Sequence, residues 1–152
     1  LLIADEPTTA LDVTIQAEIL DLLRDMRRTF NVSLLLIPHD LGIVAGIADR
    51  VAVMYAGRIV ESGPVRALFK TPRHPYTEAL MASVPRMEGR VERLPSIEGQ
   101  PPALHRLPPG CRFAPRCRYV EPRCRTEYPP MFAVGAQHEA ACWRAEPSRP
   151  SR

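Results

Sequence analysis

The chain has 152 residues, of which 45% are hydrophobic, 24% charged and 17 are proline, with a formal net charge of +3. That is enough for one ordinary domain and too apolar for disorder throughout, while no apolar run approaches the ~20 residues of a membrane-spanning helix. Most of the prolines follow Pro85, which excludes a mainly helical or central-strand second half, because each proline removes an amide donor and fixes φ.

The elements follow in chain order. Leu1-Leu2-Ile3-Ala4 is a short apolar run that stops at Asp5-Glu6-Pro7, as the end of a buried parallel strand does. The opening has no basic stretch of a secretory signal. It begins inside a strand, so the chain is expected to be a piece of a longer protein. Ile15, Ile19, Leu22, Leu23, Met26 and Phe30 recur at helical spacing, with Asp12 as N-cap and Asn31 as stop. Val32 to Ile37 reads as a second buried strand ending at Pro38-His39-Asp40. A helix is expected from Leu41 to about Ala48, capped by Asp40. Arg50–Tyr55 and Arg58–Glu61 read as strands about an Ala56-Gly57 turn. This alternation predicts an α/β fold with a largely parallel sheet.

Pro64–Phe69 predicts a short helix, and His74-Pro75-Tyr76-Thr77 opens another reaching about Ser83. Beyond Pro85 the periodicity fades. Pro101-Pro102 and Pro108-Pro109 bracket an expected extended linker, followed by four cysteines in a region with little predicted regular structure. Residues 1–85 carry 8 basic and 10 acidic side chains; residues 86–152 carry 12 and 7, and every one of those 12 bases is Arg. An excess this small reads as a solvated surface, and no nucleic-acid partner is expected.

In parallel sheets ligands bind beyond the carboxyl ends of the strands. Two such ends carry reactive groups, Asp5-Glu6 and His39-Asp40, with Ala10-Leu11-Asp12 between them. In this order the chain resembles the ATP-binding subunits of ABC transporters, and within them the dipeptide/oligopeptide importers. Leu1–Glu6 looks like the Walker B strand with its following glutamate, Ala10-Leu11-Asp12 like the D-loop, and His39 like the switch histidine. Arg50–Gly57, His74–Thr77 and Gly110–Cys117 resemble that subfamily too. Pro38 departs from the family, where Thr or Ser usually precedes the histidine.

The resemblance implies roles. Asp5 would hold Mg²⁺, a hard cation that takes carboxylate oxygen. Glu6 would orient and deprotonate the attacking water, and His39 would touch the terminal phosphate of ATP. Strand alternation would point Asp5 and Glu6 to opposite sides. Asp12 would act across a dimer interface; Thr8 and Thr9 read as turn residues. The implied fold is the C-terminal part of a P-loop-type nucleotide-binding domain over residues 1–70. A proline-rich, irregular, cysteine-containing extension would occupy residues 71–152. The implied protein sits on the cytoplasmic side of the cell membrane, with a second nucleotide-binding subunit, permease subunits and an extracytoplasmic peptide-binding protein.

A P-loop requires Gly-Lys followed by Ser or Thr. The one lysine, Lys70, follows Phe69, and no Gly-Gly pair supplies a signature loop. These 152 residues alone are therefore expected neither to bind ATP tightly nor to hydrolyse it. Cys111, Cys117, Cys124 and Cys142 are separated by five, six and seventeen residues. Their expected use is metal binding, with Arg112, Arg116, Arg118, Arg123 and Arg125 lowering the thiol pKa values. The resemblance implies a [4Fe–4S] cluster, with structural Zn²⁺ as the alternative and free thiols third. His138 is a possible further ligand or a surface residue, and Trp143 is expected to pack on the cluster loop. The competing reading is a non-catalytic four-cysteine metal-binding module that docks on protein or nucleic acid.

Overall fold

The computed structural model describes residues 1–83 and 97–147. Pro85, where the sequence periodicity fades, lies outside the described residues. The chain forms two compact units, Leu1–Ala48 and Asp49–Arg152.

The first unit is a β-α-β-α run: β1 (Leu2–Asp5), α1 (Val13–Phe30), β2 (Leu34–Ile37) and α2 (Leu41–Ile47). β1 and β2 pair in parallel, with Leu2 opposite Leu34 and Asp5 opposite Ile37. Asp12 caps α1 by accepting from the Thr14 and Ile15 amides, both at 3.0 Å. Asn31 ends the helix in the left-handed conformation, φ 48°, which asparagine tolerates. Asp40 caps α2 through the Gly42 amide at 2.7 Å. The α1 face turned inward is Ile19, Leu20, Leu23 and Met26. It is narrower than the stripe the spacing predicts, whose Ile15, Leu22 and Phe30 are exposed.

The second unit corrects the expectation of a largely parallel sheet. β3 (Arg50–Tyr55), β4 (Arg58–Pro64), β5 (Phe132–Gly135) and β6 (His138–Ala140) form an antiparallel sheet in the order β3-β4-β6-β5. The two-residue turn explains β3 and β4. Ala56 and Gly57 have φ values of 46° and 80°, and positive φ at both positions matches the twist of a tight hairpin. α3 (Val65–Lys70) and α4 (Pro75–Ala82) follow β4, and α5 (Pro122–Thr126) lies among the cysteines. Leu68 is completely buried and packs in a core with Val53, Tyr55, Val60 and Phe113. Tyr55 meets Phe113 edge-on at 5.2 Å and Tyr76 at 4.6 Å.

The late region is more regular than its prolines suggest. β6 adds to β4, continued by the Ala141 amide donating to the Val60 carbonyl at 2.8 Å. The residues just before the expected extended linker are held in place. Arg116 donates to the Ile97 and Glu98 carbonyls at 2.7 and 2.9 Å.

One buried carboxyl group links three pieces of this unit. Glu61 on β4 has no exposed surface. Its oxygens accept from the Arg73 and His74 amides at 2.8 and 2.9 Å, and one stands 2.7 Å from His138 Nε2. His138 is therefore neither a surface histidine nor a cysteine-site ligand: it is buried against Glu61. Gly63 makes room for its ring, since a Cβ there would meet His138 Cδ2 at 2.9 Å. His74 is buried too. Its Nδ1 accepts from the Tyr76 amide at 3.1 Å, and burial lowers its pKa to about 4.

Glu61→Ala leaves two amides and an imidazole buried without their partner. The expected loss is about 3–5 kcal/mol in urea unfolding. Glu139→Ala, on the exposed side of β6, is expected to stay within about 0.5 kcal/mol of the parent. A Glu61→Ala loss below about 1 kcal/mol would contradict this role.

Candidate functional site

The parallel pairing of β1 and β2 sets their carboxyl ends side by side, and the Glu6 amide extends the ladder by donating to the Ile37 carbonyl at 2.8 Å. Ile37 is extended, as a residue before proline prefers. Immediately after this bond the chain leaves the strand. Glu6 takes φ 44°, and Ala10, four residues on, takes φ 62°. Neither residue is glycine, and such conformations cost free energy that the surroundings must offset. The Thr9 amide closes the turn on the Glu6 carbonyl at 3.1 Å, while Thr8 is buried.

This turn, rather than strand alternation, aims Glu6. Thr9 Oγ1 donates to Glu6 Oε2 at 2.8 Å and lies 3.3 Å from His39 Nδ1. Two groups far apart in sequence thus meet through one hydroxyl. Glu6, Thr9 and His39 are all solvent-facing. Asp5 ends β1 and is exposed. The Asp12 carboxylate is occupied as the α1 cap. Thr9 is the residue that sequence reasoning missed. Its signal is its position three residues after Glu6, where a turn returns a hydroxyl to the carboxylate.

The second unit holds a separate cavity. Cys111, Cys117, Cys124 and Cys142 all line it, together with His74 and Trp143. All four cysteines are free, and the Cys111 amide donates to the Cys124 carbonyl at 2.8 Å. Gly110 permits this approach, because a Cβ there would lie 2.4 Å from that carbonyl oxygen. Trp143 is buried beneath Arg123, whose guanidinium lies 3.4 Å from the ring centre. Arg144 stacks on Tyr119 at 3.7 Å.

The arginines do not lower the pKa of Cys111, Cys117 or Cys142 overall. Burial raises Cys111 and Cys117, and raises Cys142 to about 11; Arg144 and Arg118 offset only part of the rise at Cys117. The reason is geometric. Arg112 donates to the Ala56 carbonyl, Arg116 reaches the 97–98 segment, and Arg123 pairs with Glu127 and Glu146. Among the described residues no three His, Cys, Asp or Glu side chains are grouped to hold a metal ion.

Residues 60–124 match the family described as oligopeptide/dipeptide transporter, C-terminal region. Over that stretch the chain is similar to the oligopeptide/dipeptide transporter family. It is 53% identical over 150 residues to a peptide import ATP-binding protein of Brucella ovis, covering 95% of this chain and 44% of that protein. It is 51% identical over 146 residues to the oligopeptide transport ATP-binding protein AppD of Bacillus subtilis, covering 96% and 44%. A Brucella melitensis peptide import ATP-binding protein is 51% identical over 137 residues, covering 90% and 41%. The chain thus spans less than half the length of these relatives. The matched region contains the Glu61 contacts to the 73–74 backbone and three of the four cysteines; Cys142 lies beyond it.

The raised thiol pKa values predict slow alkylation. In the metal-free folded chain, carbamidomethylation of Cys142 by iodoacetamide should rise through about pH 11, against about pH 9 after unfolding in urea. The folded state keeps its thiol proton longer, so between these values raising the pH favours unfolding, by about 2–3 kcal/mol in total. Equal alkylation profiles in the two states, followed by mass spectrometry, would contradict the burial of this thiol.

Proposed function

We propose that these residues form part of the ATP-hydrolysing machinery of an importer that takes up peptides. The observation that carries this reading is the meeting of Glu6 and His39 across Thr9 at adjoining strand ends. The relatives' names, peptide import and oligopeptide transport ATP-binding proteins, support the same reading and do not favour a non-catalytic metal module.

Each residue then has a role. Asp5 would hold a magnesium ion, which would supply positive charge to offset that of the phosphates. Glu6 accepts from Thr9 through one oxygen, and its other oxygen is left to orient and deprotonate water. His39 faces the terminal phosphate. Asp12 fixes the start of α1 and presents that corner to a second nucleotide-binding subunit. Backbone amides and a lysine that cradle the phosphates are not among these 152 residues, so this chain alone is expected to turn over no ATP. The remaining partners are permease subunits and, through them, an extracytoplasmic peptide-binding protein. Among the described residues no helix is long and apolar enough to cross a membrane; the proposed place is peripheral, on the cytoplasmic face.

The cysteine cavity is proposed to hold a [4Fe–4S] cluster. The four thiols line one cavity, and thiolates are the ligands such clusters take. Cys111, Cys117, Cys124 and Cys142 would be the ligands. Trp143 and Phe113 would screen them from water. The cluster would brace residues 110–143 against α4.

The test joins this chain to the coding sequence upstream of Leu1. The extended protein should hydrolyse ATP, and Glu6→Gln should lower kcat by ~10²–10⁴-fold with nucleotide binding retained. Turnover indifferent to Glu6→Gln would overturn the catalytic reading. Anaerobic purification should yield brown protein containing iron and acid-labile sulfide. Colourless protein with one zinc per chain would overturn the cluster.

A further inference from the structure

Thr9 offers one hydroxyl proton to two neighbours. Glu6 Oε2, at 2.8 Å, belongs to a carboxylate and can only accept. The hydroxyl proton therefore goes to Glu6, and a lone pair of Oγ1 is left facing His39 Nδ1 at 3.3 Å. For that contact to be a hydrogen bond, Nδ1 must carry the proton. Asp40, the carboxylate next in sequence to His39, directs its Oδ1 to the Gly42 amide at 2.7 Å instead.

We propose that Thr9 is a positioning residue that fixes the ring tautomer of His39. It holds the neutral imidazole with its proton on Nδ1 and leaves Nε2 bare on the far side of the ring. This rests on the proposed reading of Glu6 and His39 as groups facing a terminal phosphate, and it adds which proton each brings. Neutral His39 presents an acceptor at Nε2 and can receive a proton from a phosphate oxygen that still carries one. It donates to a fully ionised oxygen only after taking up a second proton. Thr9 also holds Glu6 Oε2, so one hydroxyl sets the hydrogen-bond polarity of both groups. The left-handed backbone at Glu6 and Ala10 is what returns that hydroxyl to the pair.

A free histidine side chain favours the opposite tautomer, with the proton on Nε2, so the effect is visible by spectroscopy. The 152-residue chain is labelled with ¹⁵N-histidine and its ring nitrogens are observed by long-range ¹H–¹⁵N correlation in alkaline buffer. His39→Asn identifies the His39 signals among those of the four histidines. In the parent chain Nδ1 of His39 should show the shift of a protonated nitrogen and Nε2 that of a bare one. Thr9→Val should reverse the two, and Thr9→Ser should restore the parent pattern. A parent His39 protonated on Nε2 would overturn the proposal, as would an Nδ1–H pattern that persists in Thr9→Val. The parent spectrum needs no variant to fold. Turnover by the upstream-extended protein is a separate readout. An Nδ1–H pattern governed by Thr9, with no turnover dependent on Glu6, would uphold the positioning role and end the catalytic reading alone.

Discussion

One backbone hydrogen bond, from the Glu6 amide to the Ile37 carbonyl, closes the parallel ladder of β1 and β2. The placement of the candidate site depends on it. A slip of one residue in this pairing would send every side chain of the slipped strand to the opposite face. It would also part Glu6 from His39, because both lie within two residues of the ladder's last rung. The chain then turns sharply enough to need left-handed backbone at Glu6 and Ala10, and Thr9 is folded back between the two groups.

The second unit is organised by burial rather than by strand order. Glu61 satisfies two loop amides and the His138 ring where no water reaches. In doing so it ties β4, the loop before α4, and β6 together. The same loop delivers His74 to the wall of the cysteine cavity. The thiols lie in the lee of this arrangement, and desolvation outweighs the nearby guanidinium groups. Arginine-rich sequence therefore does not by itself make reactive cysteines. What matters is where each guanidinium is directed, and here several are directed at carbonyls, carboxylates and aromatic faces.

Much of the first unit is legible in the sequence because its signals are local. Asp12 and Asp40 announce caps, Asn31 a stop, and the apolar runs ending at Asp5 and Ile37 are short and sharply bounded. The hairpin at Ala56-Gly57 is legible for the same reason. Its consequence, an antiparallel second sheet, is not, since pairing partners are not written in local periodicity. β5 and β6 have four and three residues, too few to display alternation among prolines. His138 looks like a surface residue because its partner, Glu61, is 77 positions away. Thr9 looks like a turn residue, which it is. Its second role needs the approach of β2, which a single strand end does not reveal.

The placement of Glu6 beside His39 is tested most directly by scalar coupling across the hydrogen bond that sets it. In uniformly ¹³C,¹⁵N-labelled chain, the Glu6 amide nitrogen should couple to the Ile37 carbonyl carbon. Coupling of that amide to the Leu36 or Pro38 carbonyl, or a Glu6 amide that exchanges freely with solvent, would place the strands in another register and separate the two groups.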